Sequence, residues 1–212
     1  MSVVAVWALL AVYSALSDEH AKRVIADEIS GVVVEAGSGK PISNAVAAIR
    51  FERGNTGHGS PVCFRSMAVQ ADAQGRFKFA TWTQENTRAN ATFGEVVAYK
   101  IGYHANRANS VYVPQSRREL LGVRFNSDIH IPKTEVRVEL QPWAGMREDR
   151  IEQLGKLVGD FSCTESPKPK DHILEFSVRD EIASSPPTDG SHHHALDWIN
   201  NWIKKYQPMG SR

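Results

Sequence analysis

Short stretches with β-strand patterns, separated by turn residues, fill the middle of the chain and constrain its fold most. The clearest is 76–82, where Phe77 and Phe79 alternate with two basic residues, as in a strand with one buried face. Similar stretches lie at 29–35, 45–52, 65–71, 95–100, 110–113, 128–131 and 134–140. No long helical pattern separates them. We therefore predict a mainly β fold, an antiparallel β-sandwich of about seven strands over residues 29–142, preceded by a short helix or tether over 18–28.

The overall composition fits a globular chain and excludes several classes of protein. Of the 212 residues, 42% are hydrophobic, which excludes a wholly disordered chain. Lys and Arg number 25 against 24 Asp and Glu, so the formal net charge is +1. This balance provides no overall field that attracts nucleic acid, and we expect no nucleic-acid partner.

The first residues have the pattern of a secretory signal. Residues 3–16 are uncharged and mostly apolar, and this run is shorter than the ~20 residues that a membrane-spanning helix needs. Ala15 and Ser17 place small side chains before Asp18, at the spacing of a signal-peptidase site. We therefore predict residues 1–17 as a signal peptide or N-terminal apolar segment, and a periplasmic or secreted protein. The alternatives are a buried N-terminal helix and an uncleaved anchor, and membrane association is expected only through this segment.

The two cysteines become informative if the chain is exported. In an oxidising compartment Cys63 and Cys163 are expected to form a disulfide, because no third cysteine competes. The alternative is a pair of buried free thiols that behave as small apolar side chains. Neither residue lies in a Cys-x-x-Cys motif, so a catalytic thiol is not indicated.

Four motifs between residues 29 and 142 occur in an order that resembles a known family. They are the turn Gly39-Lys40-Pro41-Ile42 after a Gly-Val-Val strand, the turn Asp72-Ala73-Gln74-Gly75 before Phe77, the segment 97–103 that ends in Gly-Tyr, and the last strand 136–140. Together they resemble the carboxypeptidase regulatory-like domain, a transthyretin-like (prealbumin-type) β-sandwich. The resemblance implies a bacterial accessory, folding or adhesion-type module without catalytic residues of its own.

Residues 143–212 carry helical patterns and are predicted to form a helical C-terminal extension. In 147–161 apolar residues recur at helical spacing. Acidic residues lie early in the segment, where their negative charge interacts favourably with the positive end of the helix dipole. Cys163 follows directly, at a position that would tie the end of this helix to the sheet. Residues 184–191 contain Pro, Gly and Ser and are predicted to separate this part from a last helix.

The last helical pattern presents three aromatic residues on its apolar face. Trp198, Trp202 and Tyr206 follow the spacing of an amphipathic helix that begins near Ala195. This face is expected to pack on the core of the protein itself. The alternative is a docking face in which the three aromatic side chains bind a partner.

No group of residues in the sequence indicates catalysis or a metal site. Residues 192–194 are adjacent histidines whose side chains point in different directions, and we expect them at a solvated helix start. A hydrolase of the transthyretin-like type ends in Tyr-Arg-Gly-Ser, whereas this chain ends in Met-Gly-Ser-Arg. An iron site of the intradiol-dioxygenase type needs paired Tyr and His ligands, and Tyr99, Tyr103 and His104 are too few and too close together. We therefore predict no enzyme, no cofactor and no metal.

These observations favour a non-catalytic, exported β-sandwich binding module of the bacterial envelope that recognises a protein or glycan partner. Its contact surface is expected in the loops 53–61 and 83–93, because sandwiches bind mostly through loops at their ends. An immunity-type protein that neutralises a toxin is the second hypothesis. A hydrolase or metal enzyme of the transthyretin-like type is the third.

Overall fold

The computed structural model of the protein describes residues 23–53, 62–85, 91–108, 111–114, 117–120, 123–126, 128–161, 163, 173–184 and 190–206. The signal segment predicted over residues 1–17 lies outside these ranges, as do most of the two predicted contact loops. In the described residues, strands form two facing layers, and helices cover the outer face of one of them.

The central layer is a five-stranded antiparallel sheet built around strand β3 (Val46–Arg53). Strand β4 (Val62–Gln70) pairs with one side of β3, and β7 (Ala91–Tyr99) pairs with the other. Two short strands, β8 (Asn106–Arg107) and β9 (Val111–Pro114), pair with the far side of β7. Among the described strands, β4 is therefore one edge of this sheet.

The second layer consists of two three-stranded sheets that continue into one another. Its strands are β1 (Arg23–Ala26), β2 (Ile29–Glu35), β5 (Arg76–Phe79), β6 (Trp82–Glu85), β12 (Ile129–Ile131) and β13 (Thr134–Leu140), in the orders β12-β1-β6 and β13-β2-β5. Main-chain bonds bridge the bend, from Asp27 N to Ile131 O (2.9 Å) and from Thr134 N to Glu28 O (3.2 Å). The strands β10 (Arg117–Leu120) and β11 (Val123–Asn126) pair with each other and form a separate antiparallel hairpin.

The two sheet layers enclose the larger hydrophobic core. Its largest fully buried side chains come from both layers: Ile29, Ile49, Phe51, Phe64, Phe79, Ile129, Ile131 and Leu140. Full burial of such a side chain contributes about 1.5–3 kcal/mol to folding. This core therefore supplies the main force that holds the sandwich together.

Three helices cover the outer face of the central sheet: α1 (Arg147–Phe161), α2 (Ile173–Ser184) and α3 (Gly190–Tyr206). They enclose a second core with Val46 and Ala48 of β3, while Ala47 and Ile49 face the sandwich. Because the first half of β3 is buried on both faces, residues 46–49 form a continuous apolar run and lack the clean alternation of 76–79. Within the described part of the chain, no helix is both long enough and apolar enough to cross a membrane.

The structure confirms the predicted fold class, a mainly β sandwich with a helical C-terminal extension. Strand pairing is antiparallel except between β1 and β12 and between β2 and β13, which run parallel. The predicted strands 29–35 and 134–140 coincide with β2 and β13. More than seven strands occur: the bend divides the strands of the second layer, and the short strand β8 and the hairpin β10–β11 add to the number.

Two of the segments for which a structure was predicted have a different one, and the helix α2 and the hairpin β10–β11 were not predicted. Residues 23–26 form β1, where a short helix or tether was expected, because Val24 and Ala26 are needed to fill the sandwich core. The predicted strand 76–82 is divided into β5 and β6 by Ala80 and Thr81, at the bend of the sheet.

Candidate functional site

Three polar side chains from separate elements meet where β7 ends against α1 and α2; we call Tyr99, Arg150 and Glu181 the junction cluster. Arg150 is only 5% exposed and binds Glu181 through two parallel contacts, Nε to Oε1 (2.9 Å) and Nη2 to Oε2 (3.0 Å). The Tyr99 hydroxyl donates a hydrogen bond to the same carboxylate. This arrangement joins the central sheet and two helices through one buried, charge-assisted network.

The remaining groups of Arg150 are also engaged. Its Nη1 donates to the carbonyl oxygen of Tyr103 (2.5 Å) and to Oε1 of Gln153 (3.1 Å). Its guanidinium lies 5.3 Å from the centre of the Trp143 ring, and the His104 ring packs on Trp143 at 4.3 Å. Because these groups bind one another, the junction cluster is a structural connection and presents no unpaired charge to a substrate.

The environment of Tyr99 raises the pKa of its hydroxyl well above the usual value of 10.0, first because burial would desolvate the phenolate and then because the protonated hydroxyl donates a hydrogen bond to the Glu181 carboxylate. The unfolded chain releases this proton above about pH 10, whereas the folded chain retains it. The protonated Tyr99 hydroxyl therefore contributes fully to the free energy of unfolding below pH ~10, and this contribution is lost as the pH rises further.

We expect the free energy of unfolding of the wild type to fall with pH more steeply than that of Tyr99→Phe above about pH 10, by up to ~1.4 kcal/mol per pH unit. Urea unfolding followed by circular dichroism at a series of alkaline pH values measures both slopes. Equal slopes for the two proteins would mean that Tyr99 ionises as readily in the folded state as in the unfolded state.

The tyrosines and the histidine that an iron site would need do not converge. Tyr99 donates to Glu181, whereas the Tyr103 hydroxyl donates to Glu35 Oε2 (3.0 Å). His104 lies beside Gln153, with 3.4 Å between Nδ1 and Nε2. Among the residues that the structure describes, no group of three His, Cys, Asp or Glu side chains is arranged to hold a metal ion.

A groove runs between edge strand β4 and the neighbouring strands β5 and β6; we call it the β4 groove. It contains two adjoining cavities of about 470 and 710 Å³, which share Val69, Gln70 and Lys78 as lining residues. Met67 and Val69 form part of its apolar wall and are partly buried. Within the described ranges, β4 pairs only with β3, and β5 and β6 pair only with β2 and β1.

The floor of the β4 groove carries a buried donor without an acceptor. Trp82 is 9% exposed, and its indole Nε1 has no hydrogen-bond partner among the described residues. A buried donor left unpaired costs about 1–3 kcal/mol. One face of the Trp82 ring is covered by Arg65, whose guanidinium carbon lies 4.6 Å from the ring centre. A ligand in the groove could therefore place a hydrogen-bond acceptor next to the Trp82 indole N–H.

The charged side chains along the groove are largely paired with one another. Lys78 binds Glu28, and Arg76 binds Asp72 with 3.1 Å between Nε and Oδ2. Asp72 also accepts main-chain N–H bonds from Gln74 (2.9 Å) and Arg76 (2.8 Å), as its predicted turn position requires. The groove thus offers apolar surface and main-chain groups more than free charge.

The predicted disulfide is present and connects the central sheet to the helical layer. Cys63 lies on β4 and Cys163 follows α1, and their Cα atoms are 5.5 Å apart. Both residues are buried, at 9% and 0% exposure. The bond therefore fixes the end of α1 against the sheet edge.

A β-bulge in β4 directs Cys63 toward the helices. Phe51 pairs with Arg65 and Glu52 pairs with Cys63, so Phe64 is an extra residue in β4. Phe64 belongs to the sandwich core, whereas Glu52 lies on the side of β3 that the helices cover. Without the extra residue, strict alternation would turn the Cys63 side chain to the opposite face.

The three aromatic residues predicted as a partner-binding face lie on α3. Ile199 of the same helix is fully buried in the helical core, and Trp198 is 42% exposed with its ring near Gly159. The side chains of Trp202 and Tyr206 lie outside the described set, as do those of His192 and His193. The packing of α3 on α1 and α2 supports the expectation that this helix covers the protein's own core.

The strand pairing and the two cores define a mainly β sandwich with helices on one face. No protein-family model and no curated protein sequence matches the chain. Among solved structures, 3-chlorocatechol 1,2-dioxygenase from Rhodococcus opacus 1CP is 14% identical over 60% of this chain and 62% of its own, with a TM-score of 0.30. Shaft pilin SpaA from Lactobacillus rhamnosus GG is 14% identical over 57% of this chain and 47% of its own, with a TM-score of 0.29. The pilus adhesin of Streptococcus pneumoniae is 8% identical over 57% and 15%, with a TM-score of 0.31. This chain thus spans less than two thirds of each of these proteins, and its assignment as a β-sandwich rests on its own strand pairing.

Proposed function

We propose that the protein is a non-catalytic binding module of the bacterial cell envelope, exported through its N-terminal segment, that recognises a protein or glycan partner through the β4 groove. The groove is the single observation that carries the binding function. It combines apolar walls with the buried Trp82 indole donor, which has no acceptor among the described residues, and it lies beside strand β4, whose only strand partner within the described ranges is β3. The loops 53–61 and 83–93 remain further candidates for the contact surface.

The envelope location is supported by the disulfide. Cys63 and Cys163 are the two cysteines of the chain, and a buried disulfide between them is typical of a protein that folds in an oxidising compartment. The apolar residues 3–16 provide the expected route of export. We also propose that the sandwich belongs to the carboxypeptidase regulatory-like type, on the motifs at 39–42, 72–77 and 97–103.

The non-catalytic role is supported by the chemistry of the polar side chains. Arg150, Glu181 and Tyr99 bind one another in the junction cluster, and Tyr103 binds Glu35. Each of these groups is engaged in holding the layers together.

Expression of the full chain in a bacterial host tests the location. We expect release of the protein by osmotic shock, an intact mass that lacks residues 1–17, and no free thiols. A full-length cytosolic protein with two free thiols would contradict the proposal. Elemental analysis of the same sample is expected to find no stoichiometric metal, and stoichiometric zinc or iron would favour the enzyme hypothesis.

Binding to an isolated envelope fraction tests the recognition function. We expect saturable binding that is lost after the fraction is treated with protease, for a protein partner, or with periodate, for a glycan partner. The variant Trp198→Ala is expected to bind like the wild type, because α3 packs on its own core. Loss of binding in this variant would move the contact surface to α3, and absence of saturable binding by the wild type would contradict the function.

A further inference from the structure

We propose that the smaller cavity of the β4 groove binds a small, neutral, apolar molecule that carries one hydrogen-bond acceptor, such as a ketone. This inference goes beyond the proposed recognition of a protein or glycan and does not depend on that partner. It requires no free main-chain edge on β4, because the ligand would contact side chains. The cavity of about 470 Å³ is within the range of ~300–1,000 Å³ that small-molecule sites occupy.

The lining of this cavity is mostly apolar. The apolar residues lie on β4, where β5 ends at the bend, and at the start of α2: Met67, Ala68, Val69, Phe79, Ala80 and Ile173. Contact with such walls removes apolar ligand surface from water, which is favourable by about 25 cal/mol per Å². The cavity therefore favours an apolar molecule over a strongly hydrated one.

Trp82 supplies the polar group that such a ligand could satisfy. Its side chain lines the cavity, the residue is 9% exposed, and Nε1 has no acceptor among the described residues. An indole N–H only donates, so its partner must be an acceptor. Because this N–H is covered from solvent, an acceptor reaches it when a lining side chain moves, and the unbranched, flexible side chain of Met67 allows such a movement.

The charged groups beside the cavity favour a neutral ligand. The Lys78 ammonium binds Glu28, and the Arg65 guanidinium lies over one face of the Trp82 ring, 4.6 Å from its centre. A carboxylate placed against the apolar walls would lose its hydration, at a cost that these engaged cations compensate only in part. A ketone oxygen has less hydration to lose and can still accept the Trp82 hydrogen bond. We therefore infer a single neutral acceptor.

The test follows the Trp82 indole resonance of the oxidised, isotope-labelled protein by nuclear magnetic resonance, with Trp82→Phe to assign it. Three probes of similar shape are titrated: acetophenone has a ketone acceptor, cumene has no acceptor, and benzoate is charged. We expect acetophenone to bind saturably and to move the indole proton resonance downfield, as a new hydrogen bond does. Cumene is expected to cause no downfield shift, and cumene and benzoate are expected to bind at least about threefold more weakly than acetophenone.

Two variants with the same chemical change locate the site. Ala80 is exposed and lines the cavity, so Ala80→Phe would fill part of it without altering the buried core, and it is expected to weaken acetophenone binding at least about tenfold. Ala183→Phe is the matched control, because Ala183 is exposed at the other end of α2, outside the cavity lining, and it is expected to bind as the wild type does. Trp82→Phe removes the donor and is expected to weaken binding about threefold or more.

The proposal is overturned if acetophenone does not bind up to its solubility, if cumene or benzoate binds as tightly, or if folded Ala80→Phe binds like the wild type. Thermal unfolding checks the fold of each variant, and should Ala80→Phe fail to fold, the indole resonance and the comparison with cumene decide. Binding that leaves the Trp82 resonance unchanged would place the site elsewhere and also refute the proposal. Binding to the envelope fraction is measured separately, so either function can fail while the other stands.

Discussion

Replacing both Cys63 and Cys163 with alanine is expected to lower the free energy of unfolding by about 4–5 kcal/mol. The disulfide spans 100 residues, and loop-closure entropy of this size destabilises the unfolded chain by about that amount. The loss is large beside the about 5–15 kcal/mol that stabilises a typical domain. Measured midpoints of urea unfolding at equal m values give the difference directly.

The position of the bond predicts which part of the molecule opens first. Because the disulfide attaches the end of α1 to β4, its removal leaves the helical layer held by apolar contacts, the junction cluster and the Arg107–Asp160 ion pair. We expect amide hydrogen exchange to increase more in α1 and α2 than in β2 and β13. Equal increases in both layers would mean that the bond stabilises the fold only through the unfolded chain.

Reduction provides the control for this prediction. Dithiothreitol is expected to lower the unfolding midpoint of the wild type toward that of the double alanine variant and to leave the variant unchanged. The comparison separates loss of the bond from loss of the two small buried side chains. An oxidised wild type that unfolds at the same urea concentration as the variant would contradict a stabilising disulfide.

The sandwich was predictable because its strands have clear local signals. In β2 and β13, β-branched residues and alternation coincide with the observed ends. The turn that ends at Gly75 was also predictable: Gly75 has φ of 69°, and a Cβ there would lie 2.5 Å from the carbonyl oxygen of Val33. Interactions between residues close in sequence determine these elements, so the local sequence was sufficient to predict them.

Other features depend on contacts between distant residues and had no local signal. The bulge at Phe64 depends on two distant contacts: Phe64 packs in the sandwich core, whereas Cys63 bonds to Cys163 on the helical side of the sheet. Helix α2 was missed because its apolar residues, Leu174, Val178 and Ile182, form a narrow stripe that is buried only against the other helices and the sheet. The β4 groove likewise exists only once the two layers are placed together.

The junction cluster has one signal in the sequence. Arg150 lies at helical spacing from Leu154, Leu157 and Val158, on the apolar face of α1. A charged residue on such a face requires a buried partner of opposite charge. Its identification as Glu181 required the structure, because the two residues belong to different helices.

Replacing only one residue of the Arg150–Glu181 pair is expected to lower the free energy of unfolding nearly as much as removing the disulfide. Arg150→Met leaves the Glu181 carboxylate buried beside Tyr99 without its cation, and Glu181→Met leaves Arg150 without its anion. Each single change is expected to lower the free energy of unfolding by about 3–5 kcal/mol, since an uncompensated buried charge is costly. The side chains of the pair are 7% and 13% exposed, so solvent gives little compensation.

The double variant Arg150→Met with Glu181→Met is expected to lose less stability than either single variant, because it contains no uncompensated charge, which corresponds to a coupling energy of at least ~3 kcal/mol. Urea unfolding of the four proteins gives this coupling energy. The matched control is the pair Arg107–Asp160, which also joins the sheet to α1 but is 48% and 37% exposed. Its coupling is expected to be at most ~1 kcal/mol and to decrease with added salt. If both pairs couple equally and respond equally to salt, then burial at the junction does not strengthen the Arg150–Glu181 interaction.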